Sequence, residues 1–197
     1  MRKKGVWKIL DSEEKYKNDF LQLREDKVIK PDGEEGVYAT IKLRDGIQVL
    51  AVDDKGIAHF VKEFRYAIER YDIESVGGTM NEGESAEQAA GRELKEELGI
   101  EAEIFTQLGN LHHSTSIISS NTILFLALNL RFGEKNQDEN EQIKEIEIPL
   151  SKAVQMVYEG EFTHASTCIL ILRANHYLTK ERLDFGKINE KEKLWNI

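Results

Sequence analysis

One cysteine in 197 residues excludes two kinds of chemistry at once: an intramolecular disulfide and a multi-cysteine zinc site. That cysteine, Cys168, stands in the apolar run CILIL and reads as a buried, inert thiol rather than a nucleophile. Long hydrophobic runs are also lacking. The opening MRKKGVWKILDSEEKY carries basic residues but no signal-peptide core, and no segment approaches the roughly 20 apolar residues of a membrane span. The expectation is a soluble, cytoplasmic protein with no membrane partner. Positive charge is in deficit as well: 27 Lys and Arg stand against 36 Asp and Glu, a net charge of −9. Phosphate backbones attract basic stripes, so no nucleic-acid partner is expected. An acidic chain can still bind phosphates through a metal ion.

With 40% hydrophobic and 32% charged residues, the chain suits one domain, or one domain plus a small appended subdomain, around a real core. It has no internal repeat, low-complexity tract or obvious linker. Residues 6–14 and 20–29 alternate apolar and polar, and PDG at 31–33 is a strong turn signal, which predicts a small antiparallel layer. Short strand-like runs follow at 37–43, 47–52, 57–64, 71–76, 103–111 and 122–130, split by DG and DDKG turns. A charged stretch, RFGEKNQDENEQIKE, leads to the short run IEIPL and to helical patterns near 151–159 and 165–179.

One prominent helix interrupts the strands. Ser85 with Gln88 forms a capping-box pattern, AEQAAGRELKEEL is rich in helix formers, and Gly99 suits a left-handed cap. At about 100° per residue, Ala90, Leu94 and Leu98 form an apolar row, beside which Glu93, Glu96 and Glu97 cluster. Like charges at this spacing repel, and an Arg92–Glu96 pair at i,i+4 offsets only a few tenths of a kcal/mol. A hard divalent cation, Mg²⁺ or Mn²⁺, would offset them, since it prefers carboxylate oxygens and leaves positions for substrate phosphates. Taken alone, the same face also reads as solvated surface.

The wider spacing favours the metal. Gly78, five residues, Glu84, seven residues, then Arg92-Glu93-Leu94-Lys95-Glu96-Glu97-Leu98-Gly99-Ile100 resembles the full signature of the Nudix hydrolases at every fixed position. The resemblance implies an α/β fold: a Nudix α/β/α sandwich with a mixed sheet. The reaction it implies is metal-dependent hydrolysis of a nucleoside diphosphate linked to another group, by water attacking one phosphorus of the pyrophosphate. By motif position it makes Glu93 and Glu97 the principal metal ligands, Glu96 an additional one, and the Gly77 carbonyl the completion of the site. Glu84 and Arg92 would orient the loop and helix, and Gly78 and Gly83 would serve the loop's backbone geometry.

More of the chain resembles the branch of that family that cleaves ADP-ribose and other nucleotide sugars. KEFRYAIERYDIESVGG (62–78) resembles a strand, Arg-Tyr loop and strand in which Arg65 and Glu74 would meet substrate; Tyr66 reads either as a ring that stacks on a substrate base or as core. DENEQIKEIEIPLSKAVQMVYEGEF (138–162) resembles the segment that supplies a catalytic carboxylate, with Glu139 the candidate base and Glu141 a metal contact. The leading residues resemble a β-subdomain exchanged between protomers of a homodimer. The resulting division is 1–36, an N-terminal antiparallel dimerisation subdomain, and 37–197, the hydrolase domain. Thr115 and Asn121 stand where that branch usually has a proline and an acid, which bears on substrate identity rather than on reaction type. His112 and His113 stay outside the catalytic set, and Phe20 is assigned to the core. Two other functions remain open: hydrolysis of a different nucleoside diphosphate derivative, such as a GDP-sugar or a dinucleotide, and a ligand-binding regulatory module with little turnover.

Overall fold

A computed structural model describes the backbone of residues 2–134 and 143–188 and the side chains of 2–134 and 143–180. In chain order the strands are β1 (Arg2–Lys4), β2 (Trp7–Lys17), β3 (Leu21–Ile29), β4 (Glu35–Leu43), β5 (Gly46–Val52) and β6 (Ile57–Arg65). A 3-10 turn (Tyr66–Ile68) leads to β7 (Arg70–Glu74), β8 (Val76–Thr79) and helix α1 (Ala86–Leu98). Then come β9 (Ile100–Leu111), β10 (Ile118–Ser119), β11 (Thr122–Phe132), β12 (Lys144–Pro149), α2 (Leu150–Tyr158) and α3 (Ala165–Ile188). The chain forms two compact units, Met1–Asp45 with His112–Thr122, and Gly46–Leu111 with Ile123–Ile197.

The first unit is a five-stranded sheet in the order β1-β2-β3-β4-β10. β1 to β4 pair antiparallel, and β10 joins β4 in parallel. The PDG stretch turns the chain between β3 and β4: Lys30 donates to the Glu34 carbonyl at 2.8 Å, and the pairing then runs without a slip from Leu21 opposite Leu43 to Ile29 opposite Glu35. Few side chains are buried here; Ile9 and Val28 are, and Asp26 joins them with Ser12 donating to its carboxylate at 2.6 Å. Phe20 is not part of this core. It is 69% exposed in the turn before β3, where Asn18 Oδ1 accepts the backbone N–H groups of Phe20 and Leu21. The strand alternation that suggested burial begins one residue later.

The second unit is built on a seven-stranded sheet whose main path is β12-β6-β5-β11-β9, with β7 on β6 and β8 on β5. Its strands read as nearly continuous apolar runs because both faces are covered. Alternate residues serve two cores: Leu50, Val52, Phe60, Leu124 and Leu126 pack with Leu150, Leu170 and Ile171 of α2 and α3. Val49, Ala51, Val61, Phe125 and Ala127 pack with Ala90, Leu94 and Leu98 of α1. Helix, sheet and helix thus form the expected α/β/α sandwich, and the first unit, Met1–Asp45 with His112–Thr122, is built of strands. No described helix is long and apolar enough to cross a membrane.

The capping signals around α1 are realised. Ser85 Oγ accepts from the Gln88 N–H, the Gln88 side chain accepts from the Ser85 N–H, and Gly99 closes the helix at φ 67°. Cys168, on α3, is half-buried and donates to the Phe162 carbonyl at 3.4 Å. Burial pushes its thiol above the ordinary value, so it stays protonated and inert.

Candidate functional site

The acidic face of α1 is organised by Arg92. Its Nε donates to Glu84 Oε1 at 2.8 Å and its Nη2 to Glu84 Oε2 at 3.0 Å, a bidentate fork. Nη1 donates to Glu93 at 2.8 Å and to Glu96 at 3.1 Å, while Nη2 also reaches the Thr79 carbonyl at 3.1 Å. Only the i,i+4 contact with Glu96 can be read from helical spacing. Contact with Glu84 requires the turn of residues 80–85 to fold back on the helix, which it does with Glu84 Oε2 also accepting the Asn81 N–H at 2.9 Å. Hydrogen bonds from the Arg92 guanidinium, then from Asn81, hold the Glu84 carboxyl below its ordinary value. Glu84, chiefly, and Glu93 raise Arg92 above its own, against the opposing effect of burial.

One guanidinium therefore serves three carboxylates, and the group keeps a net negative charge. Its donors toward a cation would be carboxylate oxygens of Glu93, Glu96 and Glu97 and the Gly77 carbonyl of β8. This all-oxygen set fits a hard divalent cation. Backbone packing supports the fit: a Cβ on Gly78 would stand 1.9 Å from Glu93 Oε1, so this carboxylate lies directly against the strand that carries Gly77. Gly83, at φ 79° in the preceding turn, has no atom within 4 Å of such a position and serves conformation alone.

Arg65 and Glu74 meet each other. Arg65 Nε and Nη2 donate to the two Glu74 oxygens at 3.0 and 2.8 Å, and Nη1 lies 2.7 Å from Glu63. Burial works against the Arg65 charge, but Glu74 chiefly, with Glu63 and a longer-range attraction from Glu97, holds it above its ordinary value. Tyr66, the next residue, is 89% exposed and presents its ring to solvent. Thr115 and Asn121 line a concavity of about 870 Å³ in the first unit, together with Trp7, Tyr38 and His112. His112 faces the Ser120 carbonyl and His113 the Thr122 hydroxyl, each at 3.0 Å. Glu139 and Glu141 lie outside the described residues.

Sequence reasoning missed a buried polar chain under this site. His164 Nδ1 lies 3.3 Å from Glu74 and 2.9 Å from Thr167 Oγ1, and Thr167 Oγ1 accepts the Ser75 N–H at 2.9 Å. The Ser75 hydroxyl donates to Gln48, whose amide covers Gly77: a Cβ there would fall 2.0 Å from Gln48 Nε2. The contacting Ser75 and Thr167 are 92 positions apart, so no local pattern announces the chain.

Comparison with known proteins agrees with the geometry. Residues 42–168 match the NUDIX domain, and residues 7–41 match the nucleoside diphosphate sugar hydrolase N-terminal domain. The chain belongs to the NUDIX family. It is 30% identical to a Bacillus subtilis protein named ADP-ribose pyrophosphatase over 166 residues, 83% of this chain and 90% of that one. A Bacillus methanolicus protein named methanol dehydrogenase activator is 25% identical over the same shares of each chain. A crystal structure of an ADP compounds hydrolase superposes with a TM-score of 0.80 at 22% identity, covering 92% of this chain and 98% of the other.

Proposed function

We propose that this protein is a Mg²⁺-dependent pyrophosphatase that cleaves ADP-ribose or a related nucleoside diphosphate sugar to a nucleoside monophosphate and a sugar phosphate. The observation that carries the reading is the pinned acidic helix: Glu93 held against Gly78 and by Arg92, with Glu96 and Glu97 on the same face. Glu93, Glu96, Glu97 and the Gly77 carbonyl would hold the cation, with Glu141 a further contact. A divalent cation there supplies neutralisation of the diphosphate charge. Arg65, Glu74 and Tyr66 would bind and orient the nucleotide sugar, the Arg65–Glu74 fork fixing the guanidinium before substrate arrives. Glu139 would take the proton of the attacking water.

The names of the Bacillus subtilis relative and of the hydrolase with the same fold support the substrate class. We place the activity in the cytoplasm and assign residues 1–36 to dimerisation of two chains, with 37–197 as the hydrolase domain. A regulatory role with little turnover is a second reading, favoured by the activator from Bacillus methanolicus. Product chromatography separates the two. ADP-ribose with Mg²⁺ should yield AMP and ribose 5-phosphate, whereas tight binding without cleavage of ADP-ribose, GDP-mannose or diadenosine substrates selects the regulatory module. Strong preference for GDP-mannose would keep the enzyme class and reject ADP-ribose.

A further inference from the structure

We propose that His59, Glu145 and Glu147 form a second cation site, selective for Zn²⁺, at the edge of the large sheet. β12 pairs antiparallel with β6, placing Glu147 opposite His59 and Glu145 opposite Val61. The two-residue alternation of strands puts all three side chains on one face, while Ile146 and Ile148 turn to the opposite core. One imidazole nitrogen and one oxygen from each carboxylate lie within 4.8 Å of one another. His59 Nδ1 and Glu145 Oε1 are 3.1 Å apart, close to the spacing of two donors on one tetrahedral ion with bonds of about 2.0–2.1 Å. Glu147 is exposed, so its carboxylate is free to rotate toward the ion.

The histidine is the buried member of the group. It is 2% exposed, with the Phe132 ring centroid 5.2 Å away, and its Nε2 is buried without a hydrogen-bond partner among the described residues. Nδ1, the nitrogen that faces Glu145, would be the ligand. The Glu145 contact alone does not explain the second carboxylate across from His59.

The donor set also differs in kind from that of α1. One imidazole with two carboxylates suits Zn²⁺ and leaves a fourth coordination position, whereas the carboxylate and carbonyl oxygens of the other site suit Mg²⁺. The two donor sets share no residue. A bound ion would clamp the edge strand β12 to β6.

Calorimetric titration of the full chain with Zn²⁺, in excess Mg²⁺, tests the assignment. One Zn²⁺ per chain is expected. His59→Gln and Glu147→Gln should each weaken its binding more than about tenfold, since losing a ligand costs at least as much as losing an outer partner of one. Glu97→Gln should leave the Zn²⁺ affinity unchanged. Zn²⁺ should raise the melting temperature of the wild type and of Glu97→Gln, but not of Glu147→Gln. Because Glu147 is exposed, its variant keeps the test independent of any folding defect in the buried His59 variant. Wild-type Zn²⁺ affinity in Glu147→Gln, or loss of the Zn²⁺ site in Glu97→Gln, would overturn the proposal.

Discussion

Gly78 and Glu93 are packed so closely that a single methyl group cannot fit between them: a Cβ on Gly78 would lie 1.9 Å from Glu93 Oε1 and 2.2 Å from its Cδ. This glycine thus acts by the absence of a side chain rather than by an unusual backbone conformation. Its register partner is Ile47 on β5, so the strand cannot easily retreat from the helix. Gly78→Ala should therefore push the Glu93 carboxylate off its position. A displacement of about 1 Å in a positioned group costs roughly 100-fold in rate, and a comparable loss of turnover is expected with the fold retained. Steady-state kinetics and circular dichroism together check this; an alanine variant with wild-type turnover would show that Glu93 does not need its place beside β8.

Arg92 should govern part of the protein's acid stability. Glu84 has its pKa lowered in the folded state, so its contribution is present above the ordinary value of 4.5 and is lost as pH falls from there through the lowered folded value. Removing the guanidinium with Arg92→Ala should lower stability at neutral pH and flatten the dependence below about pH 4.5. Some slope should survive, because Lys95 lowers the Glu101 pKa in the same direction. Denaturant unfolding at a series of pH values measures it. Parallel curves for wild type and variant would mean that the Glu84–Arg92 fork contributes nothing to acid sensitivity. Arg92→Lys should restore little, since an ammonium cannot hold both Glu84 oxygens while reaching Glu93, Glu96 and the Thr79 carbonyl.

The metal requirement is tested at Glu97. Glu97→Gln keeps the size of the side chain and the apolar row Ala90, Leu94 and Leu98 beneath it. The fold should persist while turnover drops by orders of magnitude and Mg²⁺ or Mn²⁺ binds more weakly. Chelation of the wild type should have the same effect. Full activity in excess chelator, or near-normal turnover of the glutamine variant, would sink the assignment of this face.

Most of this architecture is legible in the residues because its signals are local. The capping box at Ser85, the left-handed Gly99 and the alternating runs fix α1 and most strands to within a few positions. The break at Ser75, which divides one expected strand into β7 and β8, is not local: its N–H leaves the ladder to meet Thr167. β10, two residues long, exists only through its pairing with Ile41 and Lys42. The site shows the same division. Helical spacing reveals that Glu93, Glu96 and Glu97 share a face, but neither the reach of Arg92 to Glu84 nor the bond between Arg65 and Glu74 follows from spacing. His59 and Glu145 are 86 positions apart and become neighbours only when β12 pairs with β6.

The identity of the base is the remaining chemical question, and it turns on two carboxylates two residues apart, Glu139 and Glu141. A general base acts mainly in the transition state, so its loss should lower kcat strongly with little change in KM when binding precedes slow chemistry. A carboxylate that contacts the metal should instead change the Mg²⁺ concentration needed for half-maximal rate. With Glu139 as base, Glu139→Gln should reduce kcat by about 100-fold or more at saturating Mg²⁺. It should also remove the limb of the pH–rate profile that reports the base. Glu141→Gln should shift the Mg²⁺ dependence and recover at high metal. The reverse pattern, with Glu139→Gln silent and Glu141→Gln inactive at every Mg²⁺ concentration, would transfer the role to Glu141. Wild-type kinetics in both variants would remove this segment from the chemistry and require the proton to go to a carboxylate of α1.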